Sequence, residues 1–434
     1  MKECIYCRKV KEESGFSLEH IVPQFLGGSR VPNLLKTKQV CKICNNNLGL
    51  FVDASFEKSF LVYSYLTEQA YAFYDPDNPT ALPLRCFGTT DLSPPHMVEG
   101  EICELWIGPL GEQIIWIRPD DKRLYWYSGG NPRTVKSKKT RAYFLFSDQS
   151  SKDLNLSWLS LKNAFEGRRV KKIICNEIDV AADKIGFDVS DDIDNDRIEY
   201  FLEKCTNRQE RRNKFSLYSK YDLRFLAKLA IGVSFSLLGE DVLRNDYMDE
   251  LNKALWHKED DPLPNINGVT AFNEDNQHLK SLCGYKNATT IIVFPTHKGL
   301  VLNLNISQSA NWVIKCAEIP NNNENIINNI GEGVCFILFK PIQKCITLSL
   351  PEFIEHKEGI SLNHELSEID NMVTKGNDYI KQLLSSDEKK LTNKDKIAPS
   401  RNLILLLHKP SLNSGKEGLL KFTFLADLES KRFF

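Results

Sequence analysis

This 434-residue chain lacks an apolar run long enough to cross a membrane. Its longest candidate, Phe225–Leu238, is interrupted by Lys228 and Ser234 and falls short of the roughly 20 residues a span needs. The opening MKECIYCRKV has no apolar core, so no signal peptide is expected and the chain reads as cytoplasmic, with no membrane partner. It also lacks an excess of charge. The formal net charge is -1, which excludes a chain-wide basic surface and leaves only local concentrations of charge for binding nucleic acid. No internal repeat is present.

What is there suits a globular protein. Hydrophobic residues make up 42% and charged residues 26%, enough to build real cores. The length suggests two to four domains of about 100–200 residues each. Of the twelve cysteines, disulfides are not expected in a reducing compartment. Four fall into two C-x-x-C pairs, and the others are scattered singly, as small buried hydrophobes are.

The pattern along the chain predicts an α+β, multidomain protein. Residues 1–75 are a small Cys-, Gly- and Asn-rich module with a helical run from Phe51 to Tyr74, closed by the breaker-rich DPDNPTALP at 75–83. Residues 76–190 read as β-rich, with strands at Glu101–Ile107, Gln113–Arg118, Arg123–Tyr127 and Arg141–Phe146. Residues 191–260 read as helical, including a helix over Tyr221–Leu238 that Gly239 would close. Residues 261–434 read as an α+β region with strands at Thr289–Pro295, Gly299–Leu304, Val334–Phe339 and Asn402–His408. A helix is expected over Ser361–Leu384.

Chemistry concentrates at the start. Cys4-x-x-Cys7 and Cys41-x-x-Cys44 are two knuckles, and a two-residue gap lets one tight turn aim both sulfurs at one ion, so a structural Zn²⁺ on four thiolates is expected. Between them stands Glu19-His20-Ile21-Val22-Pro23, then Gly27-Gly28, Asn33-Leu34-Leu35, and Asn45 directly after Cys44. His20 has the ordinary pKa of a base near neutrality. Glu19 and an Asn amide offer the hard oxygens that suit Mg²⁺. Neighbours on a strand point to opposite faces. Glu19 and His20 can therefore share a site only if the backbone bends, and the Pro23 and Gly27-Gly28 region is the expected place. Residues 1–60 hold nine Lys or Arg against six acids, a local charge of +3.

In this order of residues the segment 4–50 resembles the cysteine-bearing HNH endonucleases. The resemblance implies a treble-clef ββα-metal module that hydrolyses phosphodiester bonds in DNA, with RNA left open as a substrate. It implies His20 as general base and Glu19 and Asn45 as ligands of a catalytic Mg²⁺ or Mn²⁺. It gives Asn33 the task of orienting the histidine loop, and Cys4, Cys7, Cys41 and Cys44 a structural zinc. The family often has Asp where this chain has Glu19, and the run Asn45-Asn46-Asn47 leaves the last ligand open by one or two positions. The bland alternatives are a turn role for Asn33 and a helix-start role for Asn45. A zinc-ribbon-like module that grips nucleic acid without cutting it is the rival for the whole segment.

Elsewhere, basic clusters at Arg133–Arg141, Arg168–Lys172 and Arg208–Lys214 could track phosphates but more simply are solvated faces. The remaining histidines have no metal-like spacing. The large remainder suggests, by fold-level analogy, an anti-phage effector controlled by a regulatory partner or assembled as a homo-oligomer.

Overall fold

The computed structural model describes residues 1–120, 128–130, 140–147, 149–165, 170–176, 187–206, 211–258, 261–271, 277–318, 330–384, 404–406 and 419–427. The fold is mixed α and β. It divides into two compact units, one of Met1–Glu57 with Tyr218–Val373 and one of Lys58–Leu217 with Thr374–Phe434. This differs from the linear four-part partition expected from the sequence, because the N-terminal segment is grouped with residues from the second half of the chain.

In the first unit, β1 (Lys2–Glu3) and β2 (Val10–Lys11) form a short antiparallel hairpin whose turn holds Cys4 and Cys7. A second hairpin joins β3 (Phe16–His20) to β4 (Lys36–Cys41), and the helix α1 (Lys42–Leu48) follows at once. This is the ββα arrangement expected for residues 1–50. The Gly27-Gly28 pair makes the connection possible. Gly27 takes a left-handed φ of 95°, and a Cβ on Gly28 would lie 1.7 Å from the Val22 carbonyl oxygen, so no larger residue fits there.

Around this segment the unit builds its core from distant sequence. The helix Ser219–Leu238 brings Phe225 to stack on Phe56, with ring centroids 4.0 Å apart, and Phe25 and Trp312 complete the aromatic group. Gly232 lets that helix approach: a Cβ there would sit 2.6 Å from Ile21 Cγ2. The Tyr6 carbonyl accepts from Asn252 Nδ2 at 2.6 Å and from Trp256 Nε1 at 3.0 Å, and Arg8 donates to the Leu243 carbonyl. A six-stranded antiparallel sheet lies in the same unit, in the order Gly268–Val269, Ala310–Ala317, Gly299–Ile306, Thr289–Thr296, Val334–Phe339, Lys344–Ser349.

The second unit contains an eight-stranded sheet with Arg85–Thr90, Glu101–Ile107, Gln113–Pro119 and Thr140–Leu145 at consecutive positions. Alternation along Gln113–Pro119 explains its two cores. Ile114 and Trp116 join Trp106, Phe144 and Phe165 in one cluster, while Ile115 and Ile117 join Leu105, Tyr143 and Phe201 in the other.

Several expectations shift. The run Phe51–Tyr74 is not one helix but a π-helical turn at Gly49–Asp53, a short turn at Ala54–Glu57 and a helix at Phe60–Ala72. The region expected to be helical includes the strand Arg211–Tyr218, and the β-rich region includes the helix Leu154–Phe165. The first reads Arg-Arg-Asn-Lys-Phe-Ser-Leu-Tyr, whose only periodicity is the two-residue alternation of Asn213 and Phe215 inward. Strands expected at Thr289, Gly299 and Val334 and the helix ending at Leu384 are present. The expected strand Arg123–Tyr127 lies outside the described residues, as do Arg133, Lys136, Lys138, Lys139, Arg168, Arg169 and Arg208 of the basic clusters; of the described cluster residues, Arg141 and Lys172 pair with Asp191 and Asp194. Among the described residues no helix is long and apolar enough to cross a membrane.

Candidate active site

The four knuckle sulfurs meet. One ligand atom each from Cys4, Cys7, Cys41 and Cys44 lies within 4.8 Å of the others, and Cys7 Sγ stands 4.0 Å from Cys41 Sγ. Four thiolates at the usual Zn–S distance of about 2.3 Å would be about 3.8 Å apart, so the tetrad fits a tetrahedral ion. The Cys4–Cys44 hydrogen bond pulls the Cys4 thiol down and pushes the Cys44 thiol up, and Lys11 Nζ, 3.0 Å from Cys41 Sγ, favours the Cys41 thiolate. Cys4 Sγ also accepts from the Cys41 backbone N–H at 3.4 Å.

Next to the tetrad, the β3–β4 hairpin is irregular. Ser17 pairs with Val40 and Glu19 with Thr37, so Lys38 and Gln39 of β4 stand opposite Leu18 alone. Such a bulge twists the hairpin and re-aims the following side chains. Beyond it, Glu19 and His20 return to regular pairing with Thr37 and Lys36. Glu19 turns inward and is only 4% exposed, while His20 is half-buried at the strand end.

Both residues line one open cleft of about 920 Å³, with Gln24, Ser29, Asn45, Gly49, Asp53 and Lys340 among its other walls. Partial burial and then the Lys36 charge lower the His20 pKa. Asn45 is half-buried on α1, whereas Asn46 and Asn47 are exposed and outside the lining. Its Nδ2 donates to Ser17 Oγ and to the Leu18 carbonyl, both at 3.0 Å, which leaves its oxygen as the amide's acceptor. Asn33 is exposed on a turn, outside the cleft lining. Glu19, His20 and Asn45 are thus brought together, and Asn33 is not.

Two residues absent from the sequence-based site complete the picture. Lys228, 2% exposed on the helix Ser219–Leu238, places Nζ 2.9 Å from Glu19 Oε1 and 2.6 Å from Asp53 Oδ2. Burial lifts the Glu19 and Asp53 carboxyls, with Lys228 opposing the rise in each. Burial works to lower Lys228, but Asp53 and Glu19 outweigh it and hold the ammonium charged. Asp53 carried a readable signal: Asn45, Gly49 and Asp53 follow an i, i+4, i+8 spacing, which stacks residues on one helical face. Lys228 carried none, lying 175 positions beyond Asp53 in what reads as an ordinary amphipathic helix.

No curated protein and no solved structure matches the chain. One family model does, and it covers the segment that holds both the cysteine tetrad and the cleft residues Glu19, His20, Asn45 and Asp53: residues 4–61 match the HNH endonucleases.

Proposed function

We propose that this chain is a metal-dependent endonuclease that hydrolyses phosphodiester bonds in DNA, with residues 1–57 as its catalytic segment. One observation carries the reading: Glu19, His20 and Asn45 come from a strand and a helix to line a single open cleft beside the cysteine tetrad.

His20 is the general base. Its lowered pKa keeps the imidazole neutral near pH 7, ready to take a proton from water. Asn45 is held by its nitrogen, and its oxygen, with a carboxylate of Glu19, is the donor set for Mg²⁺ or Mn²⁺. The residues present fit such an ion, because Asp53 Oδ1, in the same cleft, is buried with no hydrogen-bond partner among the described residues, the condition a hard cation relieves. A divalent ion bound there supplies charge for the leaving oxygen. Lys340 on the cleft wall is placed to meet a backbone phosphate. The tetrad holds zinc and shapes the segment. Asn33, exposed on its turn, acts through the loop and not on the reacting atoms.

The test is cleavage of supercoiled plasmid, linear duplex and single-stranded RNA by the purified full chain, with Mg²⁺, Mn²⁺ or EDTA. Metal-dependent nicking of DNA is expected. Retention of DNA without cutting under every condition would leave the rival zinc-ribbon-like binder standing. We further read the rest of the chain as control over this site, as in anti-phage effectors. Under that reading, phage-derived DNA or an infection signal raises the rate above that on plasmid.

A further inference from the structure

The nuclease reading uses Glu19, His20 and Asn45 and leaves Asp53 and Lys228 without a task. Structural packing alone explains them poorly. One buried ammonium faces two carboxylates, so the group carries a net negative charge, and an unbalanced buried charge is costly. Among the described residues Asp53 Oδ1 is buried with no hydrogen-bond partner, although Oδ2 of the same group is well placed on Lys228. Both carboxylates line the cleft together with Asn45. Gly49 stands between Asn45 and Asp53 on the same face, and a Cβ added to it would meet nothing, so the space between the two side chains is open.

We propose that Asp53 is a second carboxylate ligand of the catalytic metal, sharing it with Glu19, and that Lys228 is the counter-ion that holds both carboxylates at the site. The proposal rests on the nuclease reading above. The charges support it: two carboxylates, one ammonium and one divalent cation sum to +1, the complement of a single phosphodiester. Asn45 then contributes a neutral oxygen. Lys228 positions the carboxylates and touches no substrate, and it ties the metal site to a helix far outside the segment 4–61.

The experiment is Mn²⁺ binding to the zinc-loaded full chain, read from the electron paramagnetic resonance signal of free Mn²⁺. Asp53→Asn and Glu19→Gln each leave one carboxylate for one ammonium, so both variants should fold, with zinc content and a melting curve as checks. Loss of a ligand from either should weaken Mn²⁺ binding by about tenfold or more. Lys228→Met removes the group that holds both carboxylates in place and should weaken Mn²⁺ binding as well. If this variant does not fold, Asp53→Asn decides. Wild-type Mn²⁺ affinity in Asp53→Asn, with Glu19→Gln weakened, would overturn the proposal while leaving the nuclease reading intact. A wild-type chain that neither binds Mn²⁺ nor cuts DNA would overturn both.

Discussion

The rings of Phe56 and Phe225 stack 4.0 Å apart with 8° between their planes, although 169 positions separate them in the chain. The first ring belongs to the nuclease-type segment and the second to the helix Ser219–Leu238. Both are fully buried. The segment that matches the HNH endonucleases therefore borrows its core. Phe225→Ala should destabilise the chain by about 3–5 kcal/mol, the usual cost of emptying a buried aromatic site. A fragment of residues 1–75 should fail to fold even with zinc, because Ile21, Phe25 and Phe56 would lose their partners. Circular dichroism and zinc content of that fragment check it. A folded, zinc-loaded fragment would show that the tetrad and hairpins suffice.

The cysteine tetrad makes the next test. Zinc binding in small modules supplies folding energy of about 10 kcal/mol or more. Cys41→Ser removes the sulfur that Lys11 supports and should release the ion and disorder the two hairpins. Elemental analysis of the wild type should return one zinc per chain, and Cys41→Ser none. A wild type without zinc sinks the structural-metal reading.

His20→Ala should cut the rate of DNA cleavage by about 10²–10⁴-fold, the usual range for losing a general base. Zinc content and DNA retention should remain near wild type, because the half-buried ring makes no hydrogen bond to the protein among the described residues. Asn45→Ala should differ in kind. It loses an oxygen toward the metal and two hydrogen bonds to β3, so added Mg²⁺ should recover part of its activity and none of that of His20→Ala. Cleavage by His20→Ala at the wild-type rate would assign the base elsewhere.

The parts of this architecture that local chemistry determines were readable in the sequence. Two C-x-x-C knuckles leave few arrangements other than a shared ion, and the four sulfurs do meet. Alternating Ile114, Ile115, Trp116 and Ile117 mark a strand between two cores. What stayed hidden depends on contacts across the chain. Lys228 reads as an interruption in an apolar run, and only the tertiary fold shows that it faces Glu19 and Asp53. The grouping of Met1–Glu57 with Tyr218–Val373 is hidden for the same reason: a hydrophobic face shows that it needs a partner, not which one. The helix expected over Phe51–Tyr74 exceeds the observed one because the apolar spacing continues through the π-helical turn at Gly49–Asp53, where hydrogen bonding changes but composition does not.

A last prediction concerns pH and a carboxyl remote from the proposed chemistry. Asp222, 5% exposed on the helix Ser219–Leu238, accepts a hydrogen bond from Trp312 Nε1 at 3.0 Å. Burial raises its pKa to about 7, with the Trp312 hydrogen bond pulling the other way. In the unfolded chain the group titrates near about 4. The folded state therefore holds the proton more tightly, and the resulting stability is fully present below about pH 4 and lost as the pH rises through about 7. Asp222→Asn replaces the group with a neutral one that can still accept from Trp312. Its stability relative to wild type should accordingly rise between pH 5 and pH 8, by an amount on the order of a few kcal/mol. Urea melts of both proteins at the two pH values measure that difference. The same difference at both would mean that Asp222 does not titrate in this window, and that Trp312 stabilises its charged form more than burial penalises it.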